Sequence, residues 1–454
     1  MSIVPHDATS LEDSMHFYGS SDSRKRIKID VRTRNIHGLT PLHLAVLNDR
    51  QKLAVSLINH GAEIEALSPR GRSSLHIAVA DGNFSMGNLL IRMGANCGQT
   101  DPTGDSPLSI AISTKLAGYK EMMCLLKTKD LPAVAYAKEL HRRKSIALTA
   151  DVGGDTTFES NDLHGLIKAE LEGEFGGYCS WRRIAKGILA FRTEFPDLIS
   201  ERTANLIIET VKLASKDEHK SIDQLYNRWK ENLPIILNTG CKNHFTSILL
   251  WKNRLIHCNR AATGYSSDKF DRQYMSGDLI HEIINIENQE ESEFDTFFSE
   301  ELPQVLSFRK TVIDEFLENT YIPEQTIGNC TWANAEGIIL PFLILCDIQQ
   351  PIKGYEMGPR SLQAIRNRQS HVFDTWKAFV QMRILSKYIK RKIASASLGT
   401  QIQEGRLYAP DLELFTKALE AIALPPHADE KLCTQKQKID ALYHILYGLY
   451  ARIG

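Results

Sequence analysis

The chain has 454 residues, of which 43% are hydrophobic and 24% charged, a composition typical of globular proteins with more than one domain. Its 54 basic and 55 acidic residues give a net charge of −1, which argues against nucleic acid as a direct ligand. The N-terminus lacks the apolar segment of a secretory signal, and the longest apolar run, residues 338–346, is far shorter than the roughly 20 residues that span a bilayer. We therefore expect a soluble protein without a transmembrane segment, whose eight cysteines are free thiols.

Three segments in the first part of the chain repeat with a period of 33 residues. They are GLTPLHLA from Gly38, GRSSLHIA from Gly71 and GDSPLSIA from Gly104. This period, with a box of this type, is the signature of ankyrin repeats, so we predict three repeats over residues 35–130 behind a polar lead-in over residues 1–34. The third repeat has Ser109 in place of the histidine and Lys127 in place of a glycine, which suits a terminal capping unit.

The histidines of the repeated box, His43 and His76, have two interpretations. They would be functional as metal ligands or catalytic groups, but their place in the motif favours hydrogen bonds that brace the repeat. Ankyrin stacks present a concave surface and carry no catalytic groups, so we expect this region to bind another protein. A basic cluster ahead of the repeats is interpreted either as a nuclear-import patch or as a polar lead-in. Its members are Arg24, Lys25, Arg26 and Lys28.

After the repeats, hydrophobic spacing predicts capping and connecting helices over residues 131–235 and a C-terminal helical region over residues 351–454. Residues 236–350 have a mixed pattern that predicts an α+β domain with a small antiparallel sheet and flanking helices. HFTSILLW and RLIHCN are predicted strands on either side of a hairpin turn at Lys252 and Asn253. HEIINI is predicted as another strand, and the acidic NQEESEFDTFFSEEL as a solvated loop or lid.

One C-terminal segment, KAFVQMRILSKYIKRKIA, combines apolar residues at helical spacing with a cluster of cations. Acidic lipid, RNA or a partner protein would fit such a segment, but a solvated helix face with cations near the helix end is favoured. The cations are Lys387, Lys390, Arg391 and Lys392.

The segment EQTIGNCTWANAE, residues 324–336, places a cysteine in a polar setting at the mouth of a predicted buried helix. A thiol nucleophile needs a base, a group that orients the base, and donors for the oxyanion. Residues of these types occur in the order His244, Asn259, Gln325 and Cys330. The hairpin brings His244 opposite position 260 or 261, which makes Asn259 a cross-strand neighbour able to fix the imidazole tautomer. Gln325 offers an amide to the oxyanion, and a helix N-terminus favours the thiolate of Cys330.

A metal site is a second interpretation of the same hairpin. The set with the spacing C-x2-H-x12-H-C is Cys241, His244, His257 and Cys258. Adjacent strand residues point to opposite faces of a sheet, so His257 and Cys258 cannot easily share one ion. We therefore predict no metal and no other cofactor.

Two further alternatives concern the thiol site itself. Cys330 without the other three residues would be interpreted as an inert core thiol. Asp268 and Asp271 follow shortly after the hairpin, and either carboxylate would orient the histidine in place of Asn259.

The order of histidine, asparagine, glutamine and cysteine resembles that of papain-like cysteine peptidases, in particular the circularly permuted arrangement of the Ulp, adenain and YopJ-type enzymes. The resemblance covers the region between the histidine and the cysteine. It implies a base, an orienting residue, an oxyanion donor and a nucleophile, which are His244, Asn259, Gln325 and Cys330 in turn. The chain departs from both patterns, because Thr331 stands where the permuted group has glycine and Trp332 lies one place later than papain's tryptophan.

An ankyrin stack followed by a cysteine-protease-like domain resembles, as a whole, the ankyrin effectors that Legionella delivers into host cells. This resemblance implies delivery by a type IV secretion system, a non-classical route, into the host cytoplasm, with the nucleus as the alternative suggested by the basic cluster. It also implies that the repeats hold a host protein while the thiol site performs peptide, isopeptide or acyl-transfer chemistry. A function of another class also fits, namely a binding scaffold whose protease-like fold is vestigial.

Overall fold

The computed structural model describes residues 31–35, 38–69, 71–102, 104–114, 122, 124, 131–152, 155–160, 165–170, 177–214, 222–241, 244–259, 264–286, 291–320, 330–349, 358–397 and 409–451. The chain divides into two compact units. The first is Met1–Arg142 together with Asp155–Glu170, and the second is Arg143–Gly154 together with Leu171–Gly454. The basic cluster over residues 24–28 lies outside the described residues.

Short helices in the first unit follow the 33-residue period. They are α1 Pro41–Leu47, α2 Gln51–Asn59, α3 Ser74–Ala80, α4 Phe84–Arg92 and α5 Pro107–Thr114. The leucines of the repeated box, Leu42, Leu75 and Leu108, are all buried in the core of this unit. The leucine of the box is therefore a core position in each of the three repeats.

The box histidines brace the repeats, as predicted. His43 is fully buried, and its Nδ1 accepts a hydrogen bond from the Thr40 backbone N–H at 3.2 Å. In the third repeat the Ser109 hydroxyl takes over this role, because it accepts from the Ser106 backbone N–H at 2.9 Å. The departure of the third repeat from the motif thus preserves the helix cap while it removes the titratable group.

Two glycines that open the box are required by the contacts between successive repeats. Gly38 and Gly71 have φ values of +72° and +70°. A Cβ at these positions would lie 2.6 Å from Pro69 Cγ and 2.5 Å from Pro102 Cδ, respectively. Only glycine fits both the left-handed backbone and the close approach of the next repeat.

A long helix, α6 Leu131–Ala150, follows the repeats, as predicted for the capping segment. In the first unit its Tyr136 hydroxyl donates to the carbonyl of Gly104 at 2.6 Å. Two strands that the sequence pattern did not indicate come next, β1 Asp155–Ser160 and β2 Gly165–Glu170, which pair antiparallel. The expectation of connecting helices over residues 131–235 is therefore wrong for residues 155–160 and 165–170.

The second unit contains a four-stranded antiparallel sheet in the order β3-β4-β5-β6. The strands are β3 Ile235–Cys241, β4 His244–Trp251, β5 Arg254–Asn259 and β6 Gly264–Lys269. The predicted strands HFTSILLW and RLIHCN and the turn between them are confirmed. One face of the sheet, with Leu249 and Cys258, belongs to the largest hydrophobic core of the unit. The opposite face, with Ile248 and Leu255, belongs to a smaller core.

Helices surround this sheet. Three precede the sheet in the chain: α7 Gly177–Glu194, α8 Glu201–Ala214 and α9 Ile222–Lys230. Four follow it: α10 Gly277–Asn285, α11 Glu291–Thr296, α12 Leu302–Leu306 and α13 Val312–Glu318. The later ones are α14 Cys330–Gly337, α15 Ile339–Ile348, α16 Pro359–Ser397, α17 Ala409–Glu420 and α18 Glu430–Tyr450. The predicted mixture of a small antiparallel sheet with flanking helices is thus observed. Within the described ranges, no helix is both long and apolar enough to cross a bilayer.

Two local predictions are wrong. HEIINI lies in α10, not in a strand, because Ser276 caps the helix by accepting from Leu279 N–H at 3.0 Å. Ile280, Ile283 and Ile284 then fall on one buried face at helical spacing. The acidic segment is also helical, since it forms α11 and continues as a π-helix over Phe297–Glu301. Its phenylalanines pack into the smaller core. Among the described side chains, the carboxylates of Glu293, Asp295, Glu300 and Glu301 are exposed.

Candidate thiol site

The structure describes the backbone or the side chain of only some of the four candidate catalytic residues. Cys330 is the first residue of α14 and His244 the first residue of β4, and the structure describes the backbone of each. Asn259 is the last residue of β5 and is half-buried. Gln325 lies outside the described residues.

The hairpin register defines the relation between His244 and Asn259. Ser247 pairs with Cys258 and Ile248 with His257. This paired stretch ends at Ser247 and Cys258, three residues after His244 and one residue before Asn259. His244 and Asn259 therefore lie near the same end of the hairpin.

A buried amide joins α14 to this hairpin. Asn334 is fully buried, and its Nδ2 donates to the carbonyl of Phe245 at 2.6 Å. The Cys258 thiol donates in turn to Asn334 Oδ1, with the two heavy atoms 3.7 Å apart. The helix that begins at Cys330 is therefore fastened to β4 one residue from His244, and to β5 one residue from Asn259.

The direction of α14 across the sheet follows from a second contact. The Tyr265 hydroxyl on β6 donates to the carbonyl of Gly337, at the end of the helix. Asn334, one turn earlier, contacts β5 and β4 instead. From Asn334 to its C-terminus, the helix therefore crosses the sheet from β4 and β5 to β6.

The two faces of β5 differ in what covers them. Cys258 belongs to the face that α14 covers. His257 belongs to the other face, where its Nε2 lies 2.9 Å from the Thr246 hydroxyl and its ring stacks on Phe298 at 4.8 Å. His257 and Cys258 thus lie on opposite faces, as strand alternation requires, and cannot contribute to one metal site. Asn259 shares the face of His257 by the same alternation, so any meeting of Asn259 with the start of α14 occurs beyond the strand ends.

The alternative orienting residues lie elsewhere. Asp268 pairs in register with Leu255, four residues along β5 from Asn259, which corresponds to about 13 Å at 3.3 Å per residue. Its carboxylate forms an ion pair with Lys310 at 3.1 Å. Burial raises the pKa of Asp268, and the Lys310 ammonium opposes that shift. Asp271 caps a short 3₁₀ helix by accepting from the Gln273 N–H at 3.2 Å. Both carboxylates therefore have structural partners near the opposite end of the sheet.

A surface cavity of about 480 Å³ also lies in the second unit, but at the turn end of the β4–β5 hairpin. Trp251 and Lys252 line it from the hairpin and Cys346 from α15. Burial raises the pKa of the Cys346 thiol, with a further contribution from the neighbouring Asp347 charge, so this thiol is held protonated. The cavity does not contain the candidate site, and its cysteine has the properties of an inert core thiol.

Sequence reasoning missed Asn334. The only signal was an amide one turn after Cys330, between the apolar Trp332 and Ala335. Such a residue must find buried hydrogen-bond partners, but its partners are 76 and 89 residues away in sequence. The sequence gives no indication of which groups these are.

Comparison with known proteins agrees with the architecture. The ankyrin-repeat family model matches residues 42–133 in three copies. No curated protein sequence matches the chain. Among solved structures, the chain is similar to the Legionella effector AnkH, with a TM-score of 0.61 and 16% sequence identity over 98% of this chain and 90% of that one. The predicted ankyrin repeats are confirmed, and the similarity to a Legionella ankyrin effector is confirmed as a shared fold.

Proposed function

We propose that this chain is an effector that acts inside a host cell, where its ankyrin repeats bind a host protein and its second unit performs thiol chemistry on a carbonyl substrate. The shared fold with a Legionella effector supports the first part of the proposal. The repeats support protein binding, because their stacked surface is built for contacts with other proteins. The host cytoplasm is the proposed site of action, with nuclear import through residues 24–28 as the alternative.

One observation carries the thiol chemistry. The buried amide of Asn334 fastens the helix that begins with Cys330 to the residue that follows His244. This contact supports the proposal that three features of a cysteine hydrolase site act together: a thiol at a helix N-terminus, a histidine at a strand start and an amide on the adjacent strand. Asn259 is preferred over Asp268 and Asp271 as the orienting residue because both carboxylates are engaged near the other end of the sheet.

The proposed reaction follows from these roles. His244 removes the thiol proton, and the Cys330 sulfur forms a bond to the substrate carbonyl carbon. Gln325 and backbone N–H groups at the start of α14 stabilise the oxyanion. The oxyanion then collapses to a thioester and expels the leaving amine, which takes the proton from His244. Water resolves the thioester in a hydrolase, and an acceptor amine or hydroxyl resolves it in a transferase.

A scaffold function is the second candidate, and one observation favours it. Asn259 shares the sheet face of His257, while α14 covers the other face through Cys258. If His244 and Cys330 do not meet beyond the strand ends, the protease-like arrangement is vestigial and the repeats perform the whole function. A Cys330→Ala substitution separates the two candidates, because only the thiol hypothesis expects it to abolish the cellular effect while partner binding persists.

The direct test is the rate of iodoacetamide labelling at Cys330 as a function of pH, read by peptide mass spectrometry. We expect fast labelling near pH 6.5, where an ordinary thiol of pKa about 8.5 is only about 1% thiolate. Exposed Cys124 and buried Cys346 in the same molecule serve as the accessible and the inaccessible reference.

The His244→Ala variant should return labelling at Cys330 to the rate of Cys124. His281→Ala, which removes a histidine of α10 with an exposed side chain, is the matched control and should change nothing. Labelling of wild-type Cys330 no faster than Cys124, or equal loss in both histidine variants, would refute the thiol hypothesis and favour the scaffold.

A further inference from the structure

We propose that Asn334 is a positioning residue of the thiol site, which sets the distance and orientation between Cys330 and His244. The inference rests on the proposed function and adds a residue to it. Its described hydrogen bonds go to the Phe245 carbonyl and the Cys258 thiol, so it would act by holding these two partners. Three observations carry the argument: its burial, its two hydrogen bonds, and the places in the chain where those bonds end.

The side chain has no access to solvent and uses both ends of its amide. The nitrogen donates to the Phe245 carbonyl at 2.6 Å, and the oxygen accepts from the Cys258 thiol at 3.7 Å. A carbonyl only accepts, so the nitrogen must face Phe245, which fixes the orientation of the amide. A buried amide costs free energy unless it is paired, so an apolar side chain would be preferred here if packing were its sole purpose.

The partners of Asn334 are the chain neighbours of the proposed catalytic residues. Phe245 directly follows His244 in β4, and Cys258 directly precedes Asn259 in β5. Asn334 itself lies four residues after Cys330, on the same side of α14 and about 6 Å along the helix axis. One buried amide thus connects the three elements that carry the thiol, the base and the orienting group.

This connection controls the distance between Cys330 and His244, on which thiolate formation depends. A base and a nucleophile must lie within hydrogen-bond reach, and an error of about 1 Å in such a geometry lowers rates by as much as about 100-fold. Without the Asn334 bond, α14 is free to slide or tilt relative to β4, and Cys330 and His244 separate. The fraction of thiolate at Cys330 near neutral pH then falls towards that of an ordinary thiol.

A purely structural role is distinguished by a matched control. Gln381 on α16 is also a buried amide that donates to a backbone carbonyl, that of Thr149 at 2.7 Å. Asn334→Ala removes the bonds to Phe245 and Cys258, and Gln381→Ala removes the bond to Thr149, so both variants lose stability through a missing buried amide. Only the first is expected to change the pH dependence of labelling at Cys330.

The experiment measures that pH profile in both variants and in the wild type, at a temperature well below each unfolding midpoint. We expect Asn334→Ala to lower the labelling rate at pH 6.5 about tenfold, the equivalent of about one pH unit in the profile. Gln381→Ala should retain the wild-type profile. If Asn334→Ala does not unfold cooperatively, Asn334→Leu, which fills the space without the amide, replaces it and should show the same shift.

The outcomes separate this inference from the function on which it rests. A wild-type profile equal to that of Cys124 overturns both. An activated wild-type thiol whose profile is unchanged in folded Asn334→Ala or Asn334→Leu overturns the positioning role alone. An equal shift in Gln381→Ala also overturns it, because the effect would then follow general destabilisation.

Discussion

Acidification should destabilise the ankyrin unit, and the buried His43 should contribute a measurable part of the loss. Burial, with a further contribution from the charge of Arg34, lowers the pKa of His43 from 6.5 to about 4. Between these two values the unfolded chain binds a proton that the folded repeat does not, so stability is present above pH 6.5 and is lost as the pH falls. The linkage relation gives a loss of about 2 kcal/mol in the free energy of unfolding between pH 7 and pH 5.

The third repeat suggests the variant that isolates this effect. His43→Ser places at the first repeat the group that caps α5, where the Ser109 hydroxyl accepts from the Ser106 N–H at 2.9 Å. The variant keeps a hydrogen-bond acceptor for the Thr40 N–H but has no group that titrates in this range. A cavity left by the smaller side chain lowers the free energy of unfolding equally at pH 7 and pH 5. The pH-dependent loss of stability in the wild type minus that in His43→Ser therefore reports the titration of His43.

Hydrogen exchange measures this loss of stability within the ankyrin unit itself. After correction for the intrinsic pH dependence, the protection of amides over residues 41–59 should fall about 20-fold more in the wild type than in His43→Ser between pH 7 and pH 5. Peptides from residues 201–214, in the second unit, serve as the internal control. Equal pH sensitivity of residues 41–59 in the two proteins would show that His43 is not the group responsible.

Two further substitutions test packing and charge. Gly71→Ala should destabilise the repeats more than Gly61→Ala, because both have positive φ but only the first puts a Cβ against Pro102; equal unfolding midpoints by circular dichroism would contradict this. Asp314→Ala should cost about 3 to 5 kcal/mol, since it leaves the guanidinium of Arg254 buried without its ion-pair partner. Tryptophan fluorescence in urea reports this loss, because all five tryptophans lie in the second unit; a loss below about 1 kcal/mol would show that water reaches the cation.

Features predicted correctly from the sequence are those encoded within a few neighbouring residues. The ankyrin repeats follow from the 33-residue period, and the brace at Thr40 and His43 lies within one helical turn. The hairpin of β4 and β5 follows from two apolar runs around a short turn, in which Lys252 adopts a left-handed φ of +56°. HEIINI was predicted as a strand, although its helix is also encoded by near neighbours. The spacing of the isoleucines and the Ser276 cap outweigh the β-branched composition.

Only the tertiary structure shows how the helix that begins at Cys330 joins the hairpin. Residue type and order in the sequence suggested the four candidate residues, and the hairpin places the start of β4 and the end of β5 at the same end of the sheet. Asn334 was not found, because its bond to Phe245 joins residues 89 apart in the chain. Hydrophobic periodicity and turn residues specify individual helices, strands and turns, since both act between residues that are close in the chain. The partner of a buried amide depends on which elements pack together, and that is determined by the burial of the whole core.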